Sequence, residues 1–157
     1  MSISEKDLFD ARTAWGNGLI EISETFENEG IEIATTIASD MIDDLYGFNF
    51  GKVLFKPTLS GGSQTFRTTK EGALSYFVGH NPAYPNDSGF GVKFWREINS
   101  DTAATFIDDT VAMWMGWVTF IDRDGQVTKV DKSWGYKLDD VGNLRIMLHH
   151  SSLPYEL

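Results

Sequence analysis

Leu144-Arg-Ile-Met-Leu-His-His-Ser-Ser-Leu-Pro154 ends the chain's last apolar run with two histidines and two serines. Successive side chains of a β-strand point to opposite faces. One face is therefore predicted to carry Arg145, Met147, His149 and Ser151. The other face is predicted to carry Leu144, Ile146, Leu148, His150 and Ser152, and to pack on the core. The first face sets a cation, an imidazole and a hydroxyl in a row, which indicates the lining of a polar pocket.

Helical patterns occupy the first half of the chain. Over about residues 4–28 the apolar side chains recur at steps of three and four, the period of a helix, at Leu8, Ala11, Trp15, Leu19, Ile22 and Phe26. Ser4 with Asp7 three residues later is typical of a capped helix start. A second helix is predicted with one apolar stripe of Ile33, Ile37, Met41 and Leu45. Lys70–Val78 is predicted as a short third helix, followed by a loop over His80–Gly89.

Strand patterns account for the rest of the sequence. Val53–Leu59 is predicted as a strand, and Pro57 favours an edge or a strand end. Further strands are predicted at Phe90–Ile98, Thr102–Asp108, Val111–Ile121 and Val127–Leu138, the last two joined by a hairpin turn at Asp124-Gly125. Helices followed by a strand meander indicate an α+β fold with helices on one face of an antiparallel sheet. We expect one domain over residues 1–157.

Composition narrows the possible partners. The chain has 157 residues and a formal net charge of −10, so nucleic acid and anionic membranes are not expected to bind it. It has no cysteine, which excludes disulfides, thiolate chemistry and Cys-type zinc sites. The first residues are polar and no apolar run is long enough to span a bilayer. We therefore expect a cytoplasmic protein.

Potential metal ligands are few. A catalytic zinc ion normally has three protein ligands from His, Glu or Asp. The histidines are His80, His149 and His150; the adjacent pair points to opposite faces of a strand, and His80 lies in a Gly/Pro-rich loop. No His-only site is expected, whereas the abundant carboxylates leave a mixed site open on the residues alone.

Four segments together resemble the iota class of carbonic anhydrases: Phe55–Thr58 (FKPT), Glu71–Gly79 (EGALSYFVG), Gly89–Trp95 (GFGVKFW) and Leu148–Pro154 (LHHSSLP). The resemblance covers residues 1–157. It implies the nuclear-transport-factor-2-like cone, in which a strongly curved antiparallel sheet wraps around N-terminal helices. That domain is similar to the association domain of calcium/calmodulin-dependent protein kinase II, whose last strand fits the final segment equally well.

The resemblance implies interconversion of carbon dioxide and bicarbonate without a bound metal or other cofactor. Matched onto this sequence, the family's site threonine falls on Thr58, its tyrosine on Tyr76, its histidine on His149 and its serine on Ser151. His150 with Ser152 is the less favoured choice, because their face begins with leucine and isoleucine. Our hypothesis is that Tyr76 and Ser151 position the attacking water and that Thr58 holds the substrate oxygens. His149 then orients the network or carries the proton away.

Two cations complete the predicted site as substrate-binding candidates. Lys56 shares the strand parity of Thr58, and Arg145 shares the predicted face of His149. Either side chain would add positive potential for an anion. For Arg145 the alternatives are pairing with a carboxylate inside the cone and facing solvent.

Two other functions fit the same fold. The first is a non-catalytic oligomerisation or ligand-binding module, as in the kinase association domain. The second is an isomerase or dehydratase, which needs an Asp–His or Tyr–Asp pair for which no clear aspartate is present. Such cones often pair through the open sheet face, so we expect a homodimer. The apolar side chains of Val111–Trp117 are the candidate interface.

Overall fold

Three α-helices precede four long β-strands in the computed structural model, which describes residues 1–157. The helices are α1 (Glu5–Glu29), α2 (Ile31–Leu45) and α3 (Lys70–Val78). The strands are β1 (Leu54–Lys56), β2 (Trp95–Asp108), β3 (Val111–Asp122), β4 (Val127–Leu138) and β5 (Leu144–Ser152). The predicted bounds of α3 and β4 are confirmed at both ends. The predicted bounds of α1 agree to within about one residue at each end.

The start of α1 is the predicted cap. The Ser4 side chain accepts a hydrogen bond from the Asp7 amide, and the Asp7 carboxylate accepts one from the Ser4 amide at 2.8 Å. This reciprocal pairing satisfies two amides that the first helical turn leaves without partners. The apolar stripe of α1 is buried as predicted at Leu8, Trp15, Leu19 and Ile22.

The predicted stripe of α2 is only partly confirmed: Met41 is buried, and Ile37 and Leu45 are partly buried against the core. Ile33 is 45% exposed, and the buried residues are Ala34, Ala38, Met41 and Ile42. Small side chains are favoured on this face because α1 lies very close: a Cβ at Gly18 of α1 would sit 2.6 Å from the Met41 sulfur. Alanines such as Ala34 and Ala38 fit the close approach of the two helices, and periodicity alone does not show this approach.

The sheet has the strand order β1-β5-β4-β3-β2. β1 is an edge strand, as Pro57 predicted, but it has three residues rather than seven. It pairs with β5 in parallel, whereas all other neighbours are antiparallel. The expected purely antiparallel sheet is therefore wrong at this one edge, and the sheet is mixed.

β2 is one long strand where two were predicted. Phe90–Val92 forms a 3-10 turn, and the strand then runs without a break from Trp95 to Asp108. Its pairing with β3 shifts between Trp95 and Glu97 and again between Thr102 and Ala104. The polar residues between the two predicted strands looked like a turn, but they belong to an exposed edge strand.

A bulge in β5 changes the predicted faces of that strand. Gly135 of β4 pairs with Leu148, but the next residue pairs with Ile146, so Met147 has no partner. The extra residue breaks the alternation of side chains. Ile146 therefore lies on the same inner face as His149 and Ser151, and all three are buried. Arg145, which was predicted to share that face, does not.

The core lies between the inner face of the sheet and the helices. It is one cluster of 26 buried apolar residues, rich in aromatic side chains such as Trp15, Phe77, Trp114 and Trp134. None of the helices combines the length and the apolar character that crossing a membrane requires.

Gly116 on β3 generates a test of this packing. A Cβ there would collide with the carbonyl oxygen of Asp101 on β2 and lie 2.8 Å from the Trp114 ring. Because backbone cannot yield as a flexible side chain does, we expect Gly116→Ala to lower the free energy of unfolding by about 1–3 kcal/mol. Urea unfolding measures the loss.

Gly61→Ala is the matched control, since nothing lies within 4 Å of a Cβ at Gly61. Equal midpoints for the two variants would contradict the close approach of β2 to β3.

Candidate active site

Five buried polar side chains form a continuous row on the inner face of the sheet. The hydroxyl of Tyr46 lies 2.8 Å from Nδ1 of His149, and Nε2 of His149 lies 2.9 Å from Nζ of Lys132. The Lys132 nitrogen lies 3.0 Å from Oγ of Ser151, which lies 2.6 Å from Oγ1 of Thr58. All five residues are less than 9% exposed, so water does not compete for these hydrogen bonds.

Sheet register places three of these residues. Lys132 of β4 stands opposite Ser151 of β5, and Trp134 stands opposite His149. On the other side of β5, the parallel pairing puts Phe55 beside His149. Opposite residues of paired strands share a face, so the amine, the imidazole and the serine hydroxyl meet on the inner face of the sheet.

Thr58 and Tyr76 reach this face from segments that are not strands of the sheet. Thr58 follows β1 after Pro57. Tyr76 projects from α3, its hydroxyl accepts a hydrogen bond from the Leu59 amide at 3.2 Å, and its ring lines the same pocket as Thr58. The phenol therefore extends the polar row at its Thr58 end.

Aromatic rings enclose the row. The imidazole of His149 stacks on Phe55, with ring centres 4.5 Å apart, and meets Trp15 edge-on at 5.6 Å. The Lys132 nitrogen lies 4.8 Å from the ring centre of Trp15 and 5.5 Å from that of Trp134. Such walls keep the local dielectric low and strengthen every polar interaction inside.

Burial shifts the titration of the whole group. It lowers the pKa of Lys132 to about 7, with Lys56 lowering it further and Asp131 opposing the shift. Burial, and then the charge of Lys132, bring the pKa of His149 well below its ordinary value. Burial raises the pKa of Tyr76 and of Tyr46. Above pH 7 the row therefore consists of neutral donors and acceptors.

The pocket at this row is small. Its walls include Thr58, Tyr76, Lys132 and His149, and no water molecule fits between them unless these side chains shift. Tyr76 and Phe90 also line a neighbouring crevice of about 20 Å³, whose other walls include the exposed Asn86 and Ser88.

The structure brings together Thr58, Tyr76, His149 and Ser151, the four residues that the resemblance singled out. Lys56 lies next to them: its ammonium donates to the backbone carbonyl of Ser151 at 2.8 Å. It stands in register with His150, which is exposed, so its side chain belongs to the outer side of the strand pair.

The predicted placement of Arg145 beside His149 is wrong. Its guanidinium pairs with the Asp139 carboxylate at 3.0 Å and donates to the Asp43 and Asp44 carbonyls. The Met147 bulge is the cause, because it separates the face of Arg145 from the face of His149. Arg145 holds the C-terminal end of α2 against β5 instead.

Sequence reasoning missed Lys132, Tyr46 and Trp15 as parts of this site. A signal for Lys132 was present: it alternates with Val130, Trp134 and Tyr136 along β4, so a lysine occupies an otherwise apolar inner face. Tyr46 and Trp15 carried no comparable signal, since both fit an ordinary helical core pattern.

No three His, Asp or Glu side chains lie close enough together to hold a metal ion. His149 is buried and His150 exposed, as the strand alternation predicted. His80 lies in the loop after α3, where its Nδ1 lies 2.9 Å from the Val78 carbonyl oxygen.

Two comparisons with known proteins give the same description. The family model for metal-independent carbonic anhydrases matches residues 6–153. A metal-independent carbonic anhydrase from Nostoc sp. (strain PCC 7120) is 48% identical over 155 residues, which are 99% of this chain and 76% of that protein. The chain therefore belongs to the metal-independent carbonic anhydrase family.

Solved structures agree with this assignment. The iota-carbonic anhydrase from a cyanobacterium, crystallised in complex with bicarbonate, superimposes with a TM-score of 0.98 at 48% identity over 99% of this chain and 95% of that one. A protein from Xanthomonas campestris, described as a calcium/calmodulin-dependent protein kinase II association domain, shares the fold with a TM-score of 0.51 at 23% identity, over 78% of this chain and 79% of that one. The α+β nuclear-transport-factor-2-like fold implied by the resemblance is confirmed.

The buried amine of Lys132 makes stability depend on pH. Its pKa is about 7 in the folded chain and 10.5 as the ordinary value. Between these values the unfolded chain binds more protons, so stability rises with pH. We expect the free energy of unfolding of the wild type, minus that of Lys132→Met, to be constant below pH 7. It should then rise by a few kcal/mol up to about pH 10.5.

Urea unfolding of both proteins at a series of pH values measures this difference. The subtraction cancels the titration of exposed lysines and of the buried tyrosines. A difference that stays constant from pH 7 to 10 would contradict a titrating amine in the core.

Proposed function

We propose that this chain interconverts carbon dioxide and bicarbonate without a bound metal. The site is the pocket lined by Thr58, Tyr76 and His149, with Ser151 hydrogen-bonded to Thr58 behind the wall. One observation carries the proposal: the paired hydroxyls of Thr58 and Ser151 lie beside the buried Lys132 amine, with the Tyr76 phenol on the wall of the same pocket. The pocket is too small for a large substrate and offers donors on several sides, as a small planar anion requires. The cyanobacterial relative that was crystallised with bicarbonate supports the same assignment.

The hydrogen bond between Thr58 and Ser151, 2.6 Å long, marks where the substrate binds. Bicarbonate has three oxygens and fits between these hydroxyls if they separate and each turns to it. Tyr76 is set to donate as well, because its oxygen already accepts from the Leu59 amide and its raised pKa keeps the phenol protonated. Donors aimed at developing negative charge stabilise the transition state.

His149 acts as a positioning residue in this scheme. Its pKa lies well below neutrality, so it does not carry the proton away near pH 7, which was one part of the sequence hypothesis. It holds the Lys132 amine from one side while Tyr46 holds the imidazole from the other. Lys56 contributes positive potential and fixes the Ser151 backbone.

Removal of the Ser151 or the Tyr76 hydroxyl group tests the site. We expect Ser151→Ala and Tyr76→Phe each to lower kcat/KM for carbon dioxide hydration at least tenfold, since each deletes a donor to the reacting oxygens. Stopped-flow assays on chelator-treated protein measure the rate, and circular dichroism checks the fold.

Ser152→Ala is the matched control, because the Ser152 hydroxyl bonds to Asp131 instead of to the polar row. Full activity in both site variants would remove these residues from the mechanism. A wild-type rate equal to the uncatalysed one would favour the non-catalytic binding or oligomerisation module.

A homodimer through the outer sheet face is the second part of the proposal. Val111, Met113, Met115 and Trp117 alternate along β3 and are 37–57% exposed, and Phe106 of β2 stands opposite Met113. An exposed apolar surface of this extent on a sheet is typical of a contact between subunits. The cytoplasmic location expected from the sequence stays a prediction.

Charged side chains on the outer sheet face should prevent dimer formation. We expect light scattering to show a dimer for the wild type and a monomer for Met113→Asp/Met115→Asp, because two buried carboxylates cost more than the contact gains. Val141→Asp, at a loop position that is 79% exposed, should leave the dimer intact. A monomeric wild type at micromolar concentration would contradict the proposed interface.

A further inference from the structure

The hydrogen bonds of Tyr46 determine where the proton of His149 lies. The Tyr46 oxygen accepts from the indole N–H of Trp15 at 3.0 Å, and its only other polar contact is Nδ1 of His149 at 2.8 Å. A buried phenol hydrogen without an acceptor is costly. Tyr46 therefore donates to Nδ1, and the neutral imidazole carries its own proton on Nε2.

The charge state of Lys132 follows from this tautomer. Nε2–H of His149 points at Nζ of Lys132, 2.9 Å away. An ammonium group has three donors and no acceptor, so it does not receive this hydrogen bond, whereas a neutral amine does. The amine also donates to the Ser151 hydroxyl at 3.0 Å. Every hydrogen bond of the row is satisfied only when Lys132 is uncharged.

A charged Lys132 would disturb the row. It would have to donate to Nε2, which moves the imidazole proton to Nδ1 and leaves the Tyr46 hydrogen without an acceptor. The charged and titratable groups near the amine give little compensation. Lys56, on the outer side of the strand pair, still repels a positive charge, and Tyr76 of α3 and Tyr46 are protonated phenols. Asp131, the residue before Lys132, attracts it, but its carboxylate bonds to Ser152.

We propose that Lys132, as a neutral amine, is the catalytic base that takes the proton from the water attacking carbon dioxide. This inference rests on the proposed function and names the group that performs its proton transfer. The amine touches Ser151 directly, so a water that Ser151 positions lies within its reach. Rotation about the Cε–Nζ bond turns the lone pair from the imidazole to that water.

The step balances as follows. The water oxygen forms a bond to carbon while one C=O π pair moves onto its oxygen, which Thr58 and Tyr76 stabilise. The water O–H bond breaks and its proton goes to Nζ, giving bicarbonate and an ammonium group. The ammonium then loses that proton to solvent or buffer. The rings of Trp15 and Trp134 stabilise the transient cation, and in the reverse direction the ammonium is the acid.

No other residue on the walls suits this role. The pKa of His149 is too low, the pKa values of Tyr46 and Tyr76 are raised, and no carboxylate lines the pocket. An amine that titrates near pH 7 matches the condition for an efficient base at neutral pH.

The test compares Lys132→Met with Lys129→Met, an exposed lysine on the same strand. We expect hydration by the wild type to rise with pH through a midpoint near 7 and then to level. Lys132→Met should lose at least 100-fold in rate together with this midpoint, and methylamine should restore part of the rate in proportion to its unprotonated form. Lys129→Met should keep the wild-type profile.

Retention of the midpoint near 7 in Lys132→Met, or a loss of rate that amines do not restore, would overturn the role of Lys132. The proposed function would still stand if the wild type is active. A wild type without activity refutes the proposed function instead.

A measurement on the wild type is independent of how the variants fold. Nitrogen-15 NMR of the lysine side chains should show one amine that titrates near pH 7, absent from Lys132→Arg. A Lys132 resonance that titrates above pH 9 would overturn the proposal.

Discussion

The row of hydrogen bonds from Tyr46 through His149, Lys132 and Ser151 to Thr58 is the constraint around which the fold is arranged. Buried polar groups are stable only when each has a partner, and a row that is half satisfied costs more than an apolar core. This row joins the end of α2, strands β4 and β5, and the segment after β1. Displacement of any one of these elements would leave a buried donor or acceptor unpaired.

Local features of the sheet serve this arrangement. The Met147 bulge turns His149 and Ser151 to the same inner face as Ile146. The short parallel strand β1 brings Phe55 against the imidazole and delivers Thr58 next to Ser151. The ion pair of Arg67 and Asp87, which is almost fully buried, ties the loop after α3 to the segment before it. It thereby supports the helix that carries Tyr76.

Much of this structure could be predicted from the sequence, and the failures have physical causes. Helix α3 and strand β4 follow from local patterns, and the site residues Thr58, Tyr76, His149 and Ser151 followed from family resemblance. The bulge could not be predicted, because Ile146, Met147 and Leu148 are all apolar and the shift in alternation at the extra residue leaves no mark in the sequence. Lys132 was overlooked because lysine is ordinarily exposed. The one sign of its burial is that it lies two residues before Trp134 and so on the same inward-facing side of β4. The position of Arg145 was predicted wrongly because of the same bulge.

The central claim is that neutral side chains, opened apart by the substrate, hold a small anion in this pocket. A crystal structure of the chain with bicarbonate tests it most directly. We expect one planar anion within hydrogen-bond distance of the Thr58, Tyr76 and Ser151 hydroxyls. The Thr58–Ser151 contact should lengthen well beyond 2.6 Å, and the Lys132 nitrogen should stay beside the anion. An anion bound elsewhere, with the contact between these two hydroxyls intact, would contradict the account.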